Sequence, residues 1–157
     1  MTTAAFDCVV LLQAAANPNG PAGACLSLVE SGHVKLFLSP QILVEARDVF
    51  TRPKTRTRFP QLTEEVIDGY LLKVATLATF VHVVPDAIQF RRDPTDEMYL
   101  NLAIATQAPF IVSRDNDLLD LMKVDDFRKV YPALTIIDPV AFLKHVRTEI
   151  AKEVGDE

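Results

Sequence analysis

Six acidic residues in this chain stand where carboxylates can do chemistry. Asp7 follows a short apolar run, Thr3–Phe6, and Glu45 sits one turn into a segment opened by Ser39-Pro40. Asp93 and Asp96 flank a Pro-Thr pair, and Asp115 and Asp117 close the stretch Ser113-Arg114-Asp115-Asn116-Asp117. Each acid also has an ordinary reading. Asp7 suits a helix N-cap, as do Asp93 or Asp96, and Asp115 and Asp117 suit a turn. Glu45 lies about 60° off the apolar stripe of its helix and suits solvent. Asp96 fits these readings least, because Tyr99, Leu100 and Ala103 follow it at i+3, i+4 and i+7 and put it on a buried face. A buried carboxylate requires a partner such as a metal or an arginine. Several carboxylates converging from separate elements repel one another and call for a hard divalent cation, Mg²⁺ or Mn²⁺. A pair of such ions suits phosphodiester cleavage.

The elements that must bring these acids together follow from turn and cap signals. Strands are expected at Thr3–Phe6, Val34–Leu38, Val81–Val84, Phe110–Val112 and Leu134–Ile137. Helices are expected over Val9–Ala16, about 21–31, from Pro40 to before Pro53, about 63–79, about 96–107, Asn116–Leu121, and from Pro139 to about Ile150. Arg52, Lys54, Arg56 and Arg58 fall on a basic loop between two helices. Short apolar strands alternating with helices predict an α/β domain with a mostly parallel sheet over residues 1–150, followed by a frayed polar tail, 151–157. Sites in such sheets lie beyond the carboxyl ends of the strands, where the acids recur.

Composition narrows the field. The 157 residues are 49% apolar and 24% charged, with a net charge of −5, which fits one globular domain and excludes a protein built around a broad basic face. The longest apolar run, near Val9–Ala16, is too short to span a bilayer, and no signal-peptide pattern opens the chain. Cys8 and Cys25 fit no disulfide scaffold or zinc motif and read as buried thiols in a reducing cytoplasm. His33, His82 and His145 stand apart among apolar or basic residues and read as packing or surface groups. Phosphate-loop, dinucleotide-binding and nucleophile-elbow motifs are absent. A receiver-like phosphoacceptor ranks low, because no lysine follows a late strand closely.

The ordered set Asp7, Ser39-Pro40-x₄-Glu45, Asp93-Pro-Thr-Asp96 with Leu100-x-x-Ala103, and Ile111-Val-Ser-Arg-Asp115-x-Asp117-Leu-Leu resembles a PIN domain. The nearest likeness is to the bacterial branch of PIN toxins and toxin-like nucleases, which typically also carries an Arg-Pro-Lys, here Arg52-Pro53-Lys54. The resemblance spans about residues 3–144. It implies a Rossmann-like three-layer α/β/α sandwich with a five-stranded, mostly parallel sheet. It also implies a cytoplasmic, Mg²⁺- or Mn²⁺-dependent endoribonuclease, often the toxin of a type II toxin–antitoxin pair. Asp7, Glu45, Asp96 and Asp115 take the places of the acidic quartet, Asp117 that of the accessory acid, and Ser113 that of the hydroxyl that orients the cluster. RNA, an antitoxin protein and a second copy in a homodimer are the implied partners, with no membrane. Arg52, Lys54, Arg56 and Arg58, with Arg91, Arg92 and Arg114 near the acids, are the expected RNA contacts. One position departs from the pattern: Val9 stands where the family usually has asparagine. The alternative reading is therefore a catalytically weakened PIN fold that serves as an RNA- or protein-binding module.

Overall fold

The computed structural model of the chain describes residues 1–89 and 93–155. Its strands are β1 (Thr2–Phe6), β2 (Val34–Leu38), β3 (Thr79–Phe80), β4 (Phe110–Val112) and β5 (Thr135–Ile137). They form one sheet in the order β3-β2-β1-β4-β5, with every neighbouring pair parallel. β1 is central: Ala4 lies opposite Leu36 on one side and Phe110 on the other. Covered on both faces, β1 has Ala4, Ala5 and Phe6 all buried rather than alternating.

Helices α1 (Cys8–Ala16) and α2 (Pro21–Glu30) join β1 to β2, and α3 (Pro40–Thr51), α4 (Pro53–Arg58) and α5 (Glu64–Leu77) lie between β2 and β3. α6 (Glu97–Thr106) precedes β4, α7 (Asn116–Leu119) and α8 (Asp125–Val130) precede β5, and α9 (Pro139–Gly155) closes the described chain. The step from β1 to β2 and the return to β4 run in opposite directions across the sheet. Right-handed crossovers of opposite direction place their helices on opposite faces. Accordingly α2 packs with α1 and α9, where Phe142 meets the rings of Phe6 and Phe110 edge-on at 6.0 and 5.5 Å. α6 lies against β1, β2 and β4. The result is a three-layer α/β/α sandwich.

Side chains cap the starts of α1, α3, α5 and α9. Asp7, Ser39, Thr63 and Asp138 accept from the backbone N–H groups of Val10, Ile42, Val66 and Ala141, satisfying donors that the first turn leaves free. Gly23 is required by close packing, because a Cβ there would stand 2.1 Å from the Pro18 carbonyl oxygen. That approach presses the 17–20 turn onto α2, beside the site described below.

Several expected elements fall elsewhere. The edge strand is Thr79–Phe80 rather than Val81–Val84, because it lies beside Phe37 and Leu38, the last residues of β2, and the chain after Val81 runs beyond the end of that strand. The basic run is not a loop: Pro53 starts the short helix α4, which buries no residue. The segment after α7 continues as a 3-10 turn, Asp120–Lys123, and then α8. α9 extends past Ile150 to Gly155, so residues 151–155 are an exposed helical end rather than a frayed tail. Among the described residues no helix is long and apolar enough to cross a membrane.

Candidate active site

The chain leaves β1 and β4, which are neighbours, towards opposite faces of the sheet, and this opens a crevice at their carboxyl ends. Asp7 is the first residue beyond β1. Its N–H donates to the Val112 carbonyl at 3.0 Å, which ties it to the end of β4. One carboxylate oxygen caps α1 through Val10, and the other accepts a hydrogen bond from the Ser113 hydroxyl. Ser113 is fully buried, and its oxygen accepts in turn from the Asp115 N–H at 2.9 Å. Asp115 then caps α7 by accepting from the Asp117 N–H at 2.9 Å. Asp7, Ser113, Asp115 and Asp117 therefore form one chain of hydrogen bonds across the two central strands.

Asp93 and Asp96 arrive from the other side of the crevice. Asp93 accepts from the Thr95 N–H and hydroxyl at 3.1 and 2.6 Å, which shapes the 3-10 turn Pro94–Asp96. Asp96 is held inward because Tyr99, Leu100 and Ala103 bury the same face of α6. Asp93, Asp96, Asp115 and Asp117 each bring one carboxylate oxygen within 4.8 Å of the others. Asp96 is only 6% exposed. Among the described residues its Oδ2 is the one buried side-chain oxygen or nitrogen without a hydrogen-bond partner.

The electrostatics follow from this crowding. Burial, then the charge and close contact of Asp115, then Asp93 and Asp7, push the Asp96 carboxyl up to about 8. Burial also raises Asp7, against the opposing hydrogen bonds from Ser113 and from backbone at Val10 and Arg114. The Cys8 thiol is pushed up to about 11, chiefly by burial, with Asp7, Glu45 and Asp96 adding to it. It is therefore no nucleophile at neutral pH. A set of hard oxygen donors, one of them buried without a partner, fits Mg²⁺ or Mn²⁺.

The remaining candidates are placed as follows. Glu45 is half-buried on α3, 4.0 Å from Arg52, and near enough for its charge to act on Cys8. Glu45 and Asp7 lie outside the group of four, which includes Asp93 in their stead. Asp93 carried a signal in the i,i+3 spacing of Asp93-Pro-Thr-Asp96, which brings both ends of one tight turn to one side. Arg52 pairs with Asp48 at 2.7 Å and Arg56 with Glu64 at 3.8 Å, so both are largely spent within the chain. Lys54 is exposed on α4, and Arg58 lies over the Phe59 ring at 5.1 Å. Val9 is 37% exposed and lines a cavity of about 370 Å³ together with Arg58, Phe59 and Arg114. Arg91 and Arg92 lie outside the described residues.

A family model described as PIN domain matches residues 3–117, a span that contains every acid of this crevice. The chain belongs to the PIN domain family. Its PIN fold is also similar to a solved structure, VapBC2 from Rickettsia felis bound to a DNA fragment from their promoter. That match has a TM-score of 0.55 at 13% identity and covers 87% of this chain and 98% of that one. No curated protein matches this PIN domain.

Proposed function

We propose that this PIN domain is a metal-dependent endoribonuclease that hydrolyses RNA phosphodiester bonds. The observation that carries the reading is the partnerless, buried Oδ2 of Asp96 inside a cluster of four carboxylates. Asp93, Asp96, Asp115 and Asp117 would hold Mg²⁺ or Mn²⁺, with Asp7 adjoining through Ser113. Such an ion, when bound, supplies Lewis acidity at the phosphate and a lowered pKa to water. The chain's own part is to position and to move protons. Ser113 sets the spacing between Asp7 and the Asp115 loop by donating to one and accepting from the other. Glu45, half-buried on α3 and near enough for its charge to act on Cys8, is the carboxylate outside the cluster of four that would accept a proton from an attacking water.

On this reading the protein acts as the toxin of a type II toxin–antitoxin pair, and a partner protein would silence it by covering the crevice. Support comes from the likeness of its motifs to the bacterial PIN toxins. The second reading, a weakened PIN fold that binds without cutting, is favoured by Val9. One experiment separates the readings. Cellular RNA is incubated with the wild type or Asp96→Asn, with and without Mn²⁺, and new 5′ ends are mapped by sequencing. Metal-dependent ends that Asp96→Asn fails to produce support the ribonuclease. Metal binding without new ends supports the binding module, and no metal binding overturns the proposal.

A further inference from the structure

Beside the acid crevice lie three adjoining hollows. The first, already described, is lined by Val9, Arg58, Phe59 and Arg114. Arg114 also lines the second, which Lys144 and Val140 of α9 share with the third, where Arg147 stands. Pro21 at the start of α2 borders both the first and the third, so the surface is continuous. Arg58, Arg114, Lys144 and Arg147 are all exposed along it, and none is in an ion pair of the described residues. Asp138 is the one carboxylate among the side chains lining it, and its Oδ1 is engaged by the Ala141 N–H. In a chain of net charge −5, four unpaired cations against one acid form a local reversal of sign. The surface also begins at the acids, because Arg114 immediately precedes Asp115 and its backbone supports Asp7.

We propose that this surface is the path of a single RNA strand leaving the acid crevice, with Arg114, Lys144 and Arg147 as phosphate-positioning residues. The inference rests on the ribonuclease reading and names the part of the protein that would hold its substrate. A single strand suits the lining better than a duplex. The Arg58 guanidinium, lying over the half-buried Phe59 ring, is a planar cation on which an unpaired base can stack, while the other cations follow the backbone. Lys144 and Arg147, three residues apart on α9, stand about 4.5 Å apart along the helix axis and serve one strand in succession.

The test is the salt dependence of binding. A fluorescein-labelled single-stranded RNA of random sequence is titrated by anisotropy in millimolar Mg²⁺, with probe integrity checked on a denaturing gel. The proteins are the full-length wild type, Lys144→Ala/Arg147→Ala, and Lys152→Ala. Lys152 lies on the same helix but pairs with Glu149, outside the three hollows. Each neutralised phosphate contributes a slope of about −0.7 to log K against log salt for single strands. The double variant should therefore lose about 1.4 of the wild-type slope and bind roughly 25-fold more weakly near 0.1 M salt, with Lys152→Ala unchanged. Equal slopes for wild type and double variant would overturn the path and leave the ribonuclease reading standing. No binding by the wild type would remove both. Displacement of the RNA by polyglutamate at matched charge would reassign the surface to an acidic protein partner.

Discussion

The Asp96 carboxyl should make the metal-free protein lose stability as the pH rises. In the unfolded chain it ionises near 3.8, whereas in the folded protein burial and Asp115 hold its proton up to about 8. Between those values the native state binds more protons than the unfolded state, so the unfolding free energy falls with pH. The contribution is fully present below about pH 4 and is lost as pH rises through about 8. Its ceiling, at 1.36 kcal/mol per pH unit, is on the order of 5 kcal/mol. Water reaching the half-buried Asp93, Asp115 and Asp117 reduces this to about 2–3 kcal/mol, or roughly 5–10 °C in Tm for a domain of this size. Asp96→Asn mimics the protonated acid and removes the effect. In chelator, the variant should therefore gain on the wild type by that margin between pH 4 and pH 8. At pH 8, Mn²⁺ should restore the wild type by about 2.7 kcal/mol at 100 Kd and leave the variant unmoved. Thermal melts at four pH values, with and without Mn²⁺, give the answer. Parallel wild-type and variant curves in chelator would refute the electrostatic argument.

Four further outcomes are expected. Ser113→Ala leaves the second oxygen of Asp7 and the Asp115 N–H without their partner and should cost about 1–3 kcal/mol in urea unfolding. Asp93→Asn removes one of the four clustered carboxylates and should weaken Mn²⁺ binding about tenfold by calorimetry, near 1.4 kcal/mol. Glu45→Gln should lower cleavage by about 10²-fold or more while keeping the Mn²⁺-dependent rise in Tm, because Glu45 lies outside that group. Val9→Asn should change stability by less than about 0.5 kcal/mol and leave the Mn²⁺ response intact, since Val9 faces the hollow of Arg58 and Arg114.

Elements bounded by strong punctuation were legible in the sequence. Val34–Leu38 and Phe110–Val112 are apolar runs between turn or cap residues, and both are strands with the expected limits. The edge strand was misplaced because valines at 81, 83 and 84 carry β propensity, but β2 ends at Leu38, whose carbonyl accepts from the Val81 N–H, and pairing decides an edge. Helix α4 was hidden because it has no apolar stripe, and only Pro53 marks its start. Asp7, Asp96 and Asp115 could be singled out because strand ends and one buried helix face fix them. Their meeting with Asp93 and Asp117 depends on the return crossover from β3 to β4, a long-range fact that spacing does not carry. Lys144 and Arg147 were missed for the same reason, since their neighbours Arg114 and Pro21 come from other elements.

On the ribonuclease reading, the placement of charge also explains how an acidic chain would act on a polyanion. Four carboxylates crowd the crevice where a phosphate would enter, so without a cation that point repels RNA. Of the cations in or beside the basic helix α4, Arg56 pairs with Glu64 and Arg52 with Asp48, so they offer little compensation. Attraction must come from charges that are unpaired and outside the crevice, which the Arg114–Lys144–Arg147 surface provides. Affinity and cleavage then reside in different residues. Charge removal along α9 should weaken substrate capture while leaving metal binding alone, and Asp96→Asn should do the reverse.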